Sequence, residues 1–197
     1  MKAIGGIIAA VIIGAIVMMF AGHMNSVPTL DESAKASWAQ VQNQYQRRAD
    51  LIPNLVATVK GYASHEKEVL VGVTEARAKV GQMNITPAVL NDPKAFAAFD
   101  KAQGELTSAL SRLMVVSERY PELKADKNFM ALQVQLEGTE NRISVARRDY
   151  IQSVQAYNLE LRTVPGRWVA AILYPDAAVK ETFSAEPQSQ KAPTVAF

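Results

Sequence analysis

Residues 38–59 read WAQVQNQYQRRADLIPNLVATV, and their apolar positions recur in the manner of a long packed helix. The stripe continues to residue 80 at alternating spacings of three and four, through Trp38, Val41, Tyr45, Arg48, Ile52, Leu55, Val59, Tyr62, Glu66, Val69, Val73, Ala76 and Val80. A stripe held for about six heptads is typical of a helix that packs lengthwise against other helices. It therefore predicts a helical bundle.

Pro53 lies inside this stripe, and the phase of the stripe is the same on both sides of it. A proline ring clashes with the carbonyl group four residues earlier and bends a helix rather than shifting its phase. We expect one helix from about residue 31 to residue 80 that bends at Pro53. Two collinear helices are the alternative.

Two further helices follow from start and stop signals. Asp92 and Pro93 have the order of a cap and a first helical residue, and Pro121 ends that helix. A third helix is predicted from about Asp126 to Thr163, and no segment shows the period-two alternation of a strand. The sequence predicts an all-α fold, with an antiparallel bundle of three long coiled-coil-like helices over residues 24–164.

The predicted helices have unequal lengths. A continuous helix over residues 31–80 would reach about 75 Å, which is more than the second helix can cover. Part of its apolar stripe then needs another partner, and a second copy of the chain is the simplest one. The uncovered positions lie either near Trp38, Val41 and Tyr45 or near Val69, Val73 and Val80. We expect a homo-oligomer held mainly at Trp38, Val41 and Tyr45, and by the small residues Gly6, Ala10 and Gly14 of the N-terminal segment.

Residues 3–22 differ from the rest, since none of these 20 residues has a charge or a side-chain hydrogen-bonding group. A helix of this length covers roughly 30 Å, which matches the hydrocarbon core of a bilayer. We expect an uncleaved transmembrane anchor over residues 1–23, and a buried core helix or a cleaved signal peptide is the alternative. The expected anchor residues are Ile4, Ile8, Ile12, Ile16 and Phe20.

Small residues recur every four positions on this anchor, at Gly6, Ala10 and Gly14. Such a pattern permits close contact between two membrane helices, although ordinary small residues in a lipid-facing helix would give it too. Lys2 and Lys35 provide almost no difference in charge across the segment. The positive-inside rule therefore gives only a slight preference for an inside N-terminus, and the side on which the bundle lies stays open.

The composition argues against nucleic-acid binding and against most catalytic and metal-binding sites. A net charge of +2 lacks the basic excess of a nucleic-acid binder, and the absence of cysteine excludes disulfides, thiolate metal sites and thiol nucleophiles. Only His23 and His65 are present, and Glu66 after His65 is not followed by the second histidine of a zinc-protease motif. We expect no enzymatic activity, no cofactor, no metal and no nucleic-acid partner.

Polar residues interrupt the apolar stripes, with Arg48 and Glu66 on the first and Gln103, Ser117 and Thr139 on the others. Polar stripe positions lower stability but fix the register of packed helices. We expect a structural ion-pair network, and a polar recognition surface is the alternative. The network would comprise Arg47, Arg48, Asp50, Glu66, Glu118, Glu137, Glu140, Arg142, Arg147 and Arg148.

The segment after the third helix is apolar but too short to span a membrane. Residues 165–183 carry Arg167, Trp168 and Tyr174, and aromatic residues near both ends of an apolar run suit a bilayer interface. A flap that closes the end of the bundle is the alternative. Residues 184–197 contain Pro, Ser and Gln and are expected to form a flexible tail.

Longer strings carry a family resemblance. They include Trp38-Ala-Gln-Val41, Gln46-Arg-Arg-Ala-Asp-Leu-Ile-Pro-Asn-Leu-Val56, Ser117-Glu-Arg-Tyr-Pro-Glu-Leu-Lys-Ala-Asp126 and Leu136-Glu-Gly-Thr-Glu-Asn-Arg142. Over residues 24–165 the chain resembles the LemA family of bacterial membrane proteins, except that Ile151 stands where an asparagine is expected. The resemblance implies an N-terminal membrane helix, a helical bundle, no established enzymatic activity and a place in the bacterial inner membrane.

Two functions are consistent with these features. The first is a non-enzymatic, membrane-anchored protein that contacts lipid, self-assembles, and scaffolds or organises membrane. The alternative is an adaptor or signalling module whose bundle docks another envelope protein. The size of the assembly distinguishes them, because a scaffold forms a defined homo-oligomer and an adaptor does not need to.

Overall fold

The computed structural model describes residues 10–15, 18, 20, 22–83 and 86–184, and this part of the chain contains helices but no strand. The all-α prediction is confirmed. The described residues up to residue 23 are helical, and the elements that follow are α1 (Ser26–Tyr62), α2 (Lys67–Gly81), a 3-10 helix (Pro87–Asn91), α3 (Pro93–Ser117), α4 (Pro121–Ala125), α5 (Lys127–Arg162) and α6 (Gly166–Leu173).

The two longest helices, α1 and α5, pack antiparallel over their full lengths. Near one end the Tyr62 hydroxyl donates to Asp126 at 3.0 Å. The hydroxyl groups of Ser37 and Ser153 lie 2.7 Å apart nearer the other end. Because the helices have 37 and 36 residues, the pair is about 55 Å long. This pair is the axis of the molecule.

The predicted continuous helix over residues 31–80 is wrong. The chain leaves the helix at residues 63–66, and α2 folds back along the second half of α1. Leu70 and Val73 of α2 therefore share one core cluster with Leu55 and Val59 of α1. The stripe keeps its phase across the turn because both helices bury their apolar side in the same core, and periodicity does not record a reversal of direction.

The turn also removes the length argument for an oligomer contact at Trp38, Val41 and Tyr45. These residues are 1%, 0% and 5% exposed within one chain. Trp38 packs against the rings of Phe96, Phe99, Tyr150 and Phe183 at centroid distances of 5.2 to 6.1 Å. The expectation that these three residues lack an intrachain partner is therefore wrong. Val73 and Val80 are buried in the same chain as well.

As predicted, the helix continues through Pro53. Since proline has no N–H group, the carbonyl group of Ala49 loses its usual partner four residues later. Arg77 of α2 reaches back across the turn, and its Nε donates to the Ala49 oxygen at 2.9 Å. The guanidinium group thus takes the place of the missing backbone donor.

Helix α3, which packs on the α1–α5 pair, begins at the predicted cap residue Asp92. The Asp92 carboxylate accepts the N–H groups of Lys94 and Ala95, and Asp126 caps α5 in the same way through Phe129. Helix α3 runs parallel to α1 and antiparallel to α2 and α5. It ends at Ser117, and the short α4 fills the turn that leads to α5.

After α6, residues 177–184 form an extended segment that we call the strap. The Asn158 side chain binds both backbone groups of Lys180, at 2.8 and 2.9 Å. The Tyr150 hydroxyl donates to the Glu181 carbonyl at 2.7 Å, and the Glu181 N–H donates to the Leu90 carbonyl at 2.8 Å. Phe183 then enters the aromatic cluster around Trp38 and is 7% exposed. The strap ties α5 to the 3-10 helix.

No helix among the described residues has both the length and the apolar composition that crossing a bilayer requires. The predicted anchor is described only in part, since Ile4, Gly6, Ile8 and Ile16 lie outside the described residues. Ile12 is 53% exposed, Ala10 and Gly14 are exposed, and Phe20 is half-buried. Most of the predicted tail, residues 185–197, also lies outside them.

A double-mutant cycle tests the contact at Pro53. Arg77→Met should lower the free energy of unfolding by about 1–2 kcal/mol, because the half-buried Ala49 carbonyl loses its donor. In a Pro53→Ala background the same change should cost less, because an alanine at this position restores the backbone N–H. Urea unfolding of the four proteins measures both costs. Equal costs in the two backgrounds would mean that Arg77 does not replace the backbone donor.

Candidate functional site

Arg48 is the most deeply buried charge of the described chain, at 1% exposure. Its Nη1 group donates to Glu140 and to the Thr107 hydroxyl, both at 2.9 Å, and its Nη2 group donates to the Gln103 side chain. The guanidinium carbon also lies 5.0 Å from the centre of the Tyr45 ring. Because a buried charge is costly unless it is paired, this site is held by contacts from α1, α3 and α5 together.

Arg147 lies beside this centre. Its guanidinium group is 3.4 Å from both the Tyr45 hydroxyl and Asp100, and it lies 3.9 Å from the centre of the Phe183 ring. Burial raises the pKa of the Tyr45 hydroxyl, against the lowering effect of Arg147 and Arg48. Tyr45 therefore stays protonated and can donate or accept a hydrogen bond at neutral pH.

The other predicted network residues are not gathered at this centre. Glu66 lies directly before α2 and makes no capping hydrogen bond there; its carboxylate accepts from Arg119 at 2.9 Å and from Tyr120 at 3.1 Å. The remaining residues form separate contacts near the surface or lie exposed. These are Glu118 with Lys124, Arg142 with Gln44 and Thr139, Glu137 with Gln133, Asp50 with Gln46, Arg148 with Asp149, and the exposed Arg47.

A cleft of about 770 Å³ opens above Arg48 between α3 and α5. Its floor includes Tyr45 and Arg48 of α1, and Gln103 of α3 and Arg147 of α5 line its walls. Ser184, the last residue of the strap, lies at its edge. Within the described residues, no three His, Cys, Asp or Glu side chains form a group suited to a metal ion.

The second place of interest is the end of the bundle where α1 begins and α5 ends. The Glu160 carboxylate accepts from the Ser26 hydroxyl at 2.7 Å and contacts the His23 ring at 3.0 Å. Burial raises the pKa of Glu160, but the hydrogen bonds with Ser26 and His23 outweigh it and leave that pKa below its usual value. Tyr174 donates to the Met24 carbonyl at 2.7 Å. Residues 23–26 are therefore fixed to the end of α5.

Helix α6 covers this end. A side chain on Gly166 would place its Cβ 2.5 Å from the Glu160 carbonyl oxygen, so only glycine allows α6 to approach α5 so closely. Val169 and Ala170 face inward. The opposite face and its neighbours carry exposed apolar side chains, which we call the end patch: Met24 (46%), Val164 (56%), Trp168 (49%), Ile172 (70%) and Leu173 (45%).

Of the predicted interfacial residues, two are exposed on α6 and one helps to fix α6 to the start of α1. Arg167 and Trp168 are exposed on α6, whereas Tyr174 is half-buried and binds Met24. The sequence analysis missed the strap residue Lys180, which is 6% exposed. Its ammonium group lies 2.6 Å from Asp31 and 4.7 Å above the Tyr157 ring.

The ion pair of Lys180 also affects the pKa of Asp31, the acid that it contacts. Burial of Asp31 raises its pKa, but hydrogen bonds from Lys180 and Lys35 outweigh that effect and leave the pKa lower than usual. A single lysine in an irregular segment carries no periodic signal. A lone phenylalanine among polar residues, Phe183, was the available clue that the strap is buried.

Comparison with known proteins gives one family and several relatives. The model of the LemA family matches residues 37–197, and so includes the strap and all of the bundle except the first turns of α1. The magnetosome proteins MamQ 1 and MamQ 2 of Paramagnetospirillum magneticum are each 26% identical over 164 residues, which is 75% of this chain and 60% of each relative. This chain therefore spans about 60% of the length of these relatives.

A more distant relative carries the family's own name. Protein LemA of Metamycoplasma hominis is 21% identical over 151 residues, which is 77% of this chain and 65% of that protein. The similarity thus extends beyond magnetosome proteins.

Replacing the buried guanidinium should be costly. We expect Arg48→Ala to lower the free energy of unfolding by about 3–5 kcal/mol, because it breaks a buried ion pair whose partners were arranged around it. The exposed neighbour Arg47→Ala is the matched control and should change it by less than about 0.5 kcal/mol. Guanidinium chloride unfolding measures both. If Arg48→Ala unfolds like the wild type, the side chain is solvated rather than buried.

Proposed function

Since this chain belongs to the LemA family, we propose that it is a membrane-tethered helical protein whose bundle rests on a bacterial membrane by its α6 end. The observation that carries this proposal is the end patch. Trp168 and Ile172 are one helical turn apart and both are exposed, so they present one apolar face. Contiguous exposed apolar side chains mark a site of protein or membrane contact.

The position of the tether favours membrane as the occupant of this patch. The apolar segment 3–22 is long enough to span a bilayer, and it ends directly before His23. Glu160 and Tyr174 hold residues 23–26 against the end of the bundle that bears the patch. A tether that enters the membrane at this point brings the patch to the same surface.

The chemistry of α6 suits the boundary between headgroups and acyl chains. The indole ring of Trp168 joins an apolar body to a polar N–H group, which is the combination enriched at membrane interfaces. Arg167 is exposed beside it and can reach lipid phosphates. An α6 of only eight residues lies on the membrane rather than across it.

The two tryptophans make this contact measurable in the full chain. Trp38 is 1% exposed in the bundle core, and Trp168 is 49% exposed on the end patch. In vesicles with brominated acyl chains, quenching by bromine requires close approach, so we expect the emission of Trp168 to be quenched and that of Trp38 to be retained. Trp168→Phe should abolish the quenchable emission, and the control Trp38→Phe should leave it. Unquenched emission from Trp168 would show that the patch faces away from lipid.

We further propose that the tethered bundles self-assemble and scaffold or organise the membrane. Burial of Trp38, Val41 and Tyr45 removes the bundle stripe as a support, which leaves the small residues of the tether. Ala10 and Gly14 are exposed, and a Cβ on Gly14 would meet no atom within 4 Å. Small residues four apart allow close approach of membrane helices.

Cross-linking in native membranes tests this assembly. The chain has no cysteine, so a single Ala10→Cys introduces the only thiol. Oxidation should give disulfide-linked dimers, because Ala10 and Gly14 lie one helical turn apart on a face of small residues. Ile12→Cys is the matched control, since it points to the opposite side of the helix at about 100° per residue and should link weakly. The absence of cross-linked dimers at both positions would favour a monomeric adaptor that docks another envelope protein.

A further inference from the structure

A second pocket, of about 520 Å³, lies between α1, α2 and α3. It is separate from the cleft between α3 and α5, although Tyr45 and Gln103 line both. Its polar wall includes Arg77 of α2 together with the amide side chains of Asn43 and Gln46 of α1. Its apolar wall consists of Val80, Met83 and Phe99. A cavity of this size, with a few polar groups on an apolar surface, suits a small molecule.

The charge of this pocket is positive. Arg77 is the only charged side chain among the described residues that line it, whereas the neighbouring cleft also contains acids. Asp50 accepts from Gln46 at 2.7 Å, but Asp50 is exposed and does not line the pocket. A half-buried guanidinium group without an opposite charge favours the binding of an anion beside it.

The guanidinium group of Arg77 is held in place before any ligand arrives. Its Nε donates to the Ala49 carbonyl at 2.9 Å, at the position where Pro53 leaves that carbonyl without a backbone donor. This contact uses one of five N–H groups, and the terminal nitrogens have no acceptor within the described part of the chain. A guanidinium group fixed in this way can give two parallel hydrogen bonds to a carboxylate at a small entropic cost.

Gln103 supplies a second donor. The side chain is 2% exposed, and its Nε2 group has no acceptor among the residues that the structure describes. Its Oε1 accepts from Arg48, which lines the cleft but not the pocket. The amide nitrogen lies on the other side of the same planar group, away from Arg48 and toward the pocket. Because buried donors are rarely left unpaired, an acceptor is expected from the pocket.

The end of α2 limits how much negative charge the pocket accepts. Ala78, Val80 and Gly81 belong to the last turn of α2, and all three line the pocket. Carbonyl groups at the end of a helix carry a partial negative charge, which opposes a second charge on the ligand. One arginine beside a helix C-terminus therefore suits a singly charged carboxylate better than a doubly charged phosphate. The apolar wall suits a hydrocarbon body attached to that carboxylate.

From these observations we propose that the pocket between α1, α2 and α3 binds a small organic acid through a single carboxylate. Arg77 pairs with the carboxylate, and the amide nitrogen of Gln103 donates to the same ligand. The hydrocarbon part of the ligand lies against the apolar wall. This inference does not depend on the membrane function proposed above.

Benzoate is the probe for this site, because it joins one carboxylate to an apolar ring. Saturation-transfer NMR on the full chain in detergent, at constant ionic strength and with empty micelles as the background, measures its dissociation constant. Acetate and inorganic phosphate are then added as competitors. We expect benzoate to bind more tightly than acetate because of the apolar wall, and phosphate to compete more weakly than acetate because of its second charge.

Substitution of Arg77 is made in a Pro53→Ala background, since alanine restores the backbone donor to Ala49 and keeps the bundle folded without the arginine. Relative to Pro53→Ala alone, adding Arg77→Met should weaken benzoate binding at least about tenfold, as expected for the loss of charged hydrogen bonds. Arg112→Met in the same background is the matched control. Arg112 is exposed on α3 and lies outside the pocket, so binding should change less than about twofold.

A second variant tests the amide donor. Gln103→Glu keeps an acceptor for Arg48 but replaces the amide nitrogen by a negatively charged oxygen, so it should abolish benzoate binding. Helix content by circular dichroism and the urea midpoint check that each variant is folded.

The outcomes separate a built site from general attraction of anions. Benzoate binding that is lost with Arg77→Met and retained with Arg112→Met supports the proposal. Equal losses in these two variants, or no binding of benzoate to the natural chain at millimolar concentration, would overturn it. Stronger competition by phosphate than by acetate would overturn the assignment to a single carboxylate.

Discussion

The antiparallel pairing of α1 with α5 is the constraint on which the rest of the structure depends. Two helices of about 55 Å bury only one stripe each against one another. The remaining apolar side chains need a further layer, and α2, α3 and the strap supply it in succession along the pair. Since both helices run the whole length, the pairing also fixes which segments meet at each end. Residues 23–26 meet Glu160 at one end, and Tyr62 meets Asp126 at the other.

The buried Arg48 makes this pairing specific. A slip of α5 by one turn would move Glu140 by about 5.4 Å and leave a guanidinium group without its carboxylate in the core. The same arginine orients Gln103, whose amide nitrogen is left without an acceptor among the described residues. One polar position in the α1 stripe thus links the register of the helices to the cleft between α3 and α5. The register in turn sets α6 beside the start of α1, which is the geometry that the membrane proposal requires.

The sequence predicts those parts of the structure that depend on local rules. The cap at Asp92 and the helix through Pro53 follow from local chemistry within one turn, and the structure contains them. The reversal at residues 63–66 could not be predicted from the stripe, because periodicity reports which face is buried and not the direction of the chain. The apolar stripes predicted the helical bundle, and the family resemblance agreed with that prediction. The buried strap was missed because Lys180 and Phe183 are held by long-range contacts that leave no local pattern.

The most direct test of the α1–α5 pairing is a disulfide across it. The hydroxyl groups of Ser37 and Ser153 lie 2.7 Å apart, so cysteines at these two positions should bond rapidly and leave the helix content unchanged. Ser37→Cys with Asp149→Cys reports the register shifted by one turn and should stay reduced under the same oxidation. A disulfide in the second pair, or in neither, would contradict the pairing from which the end patch, the cleft and the strap have been derived.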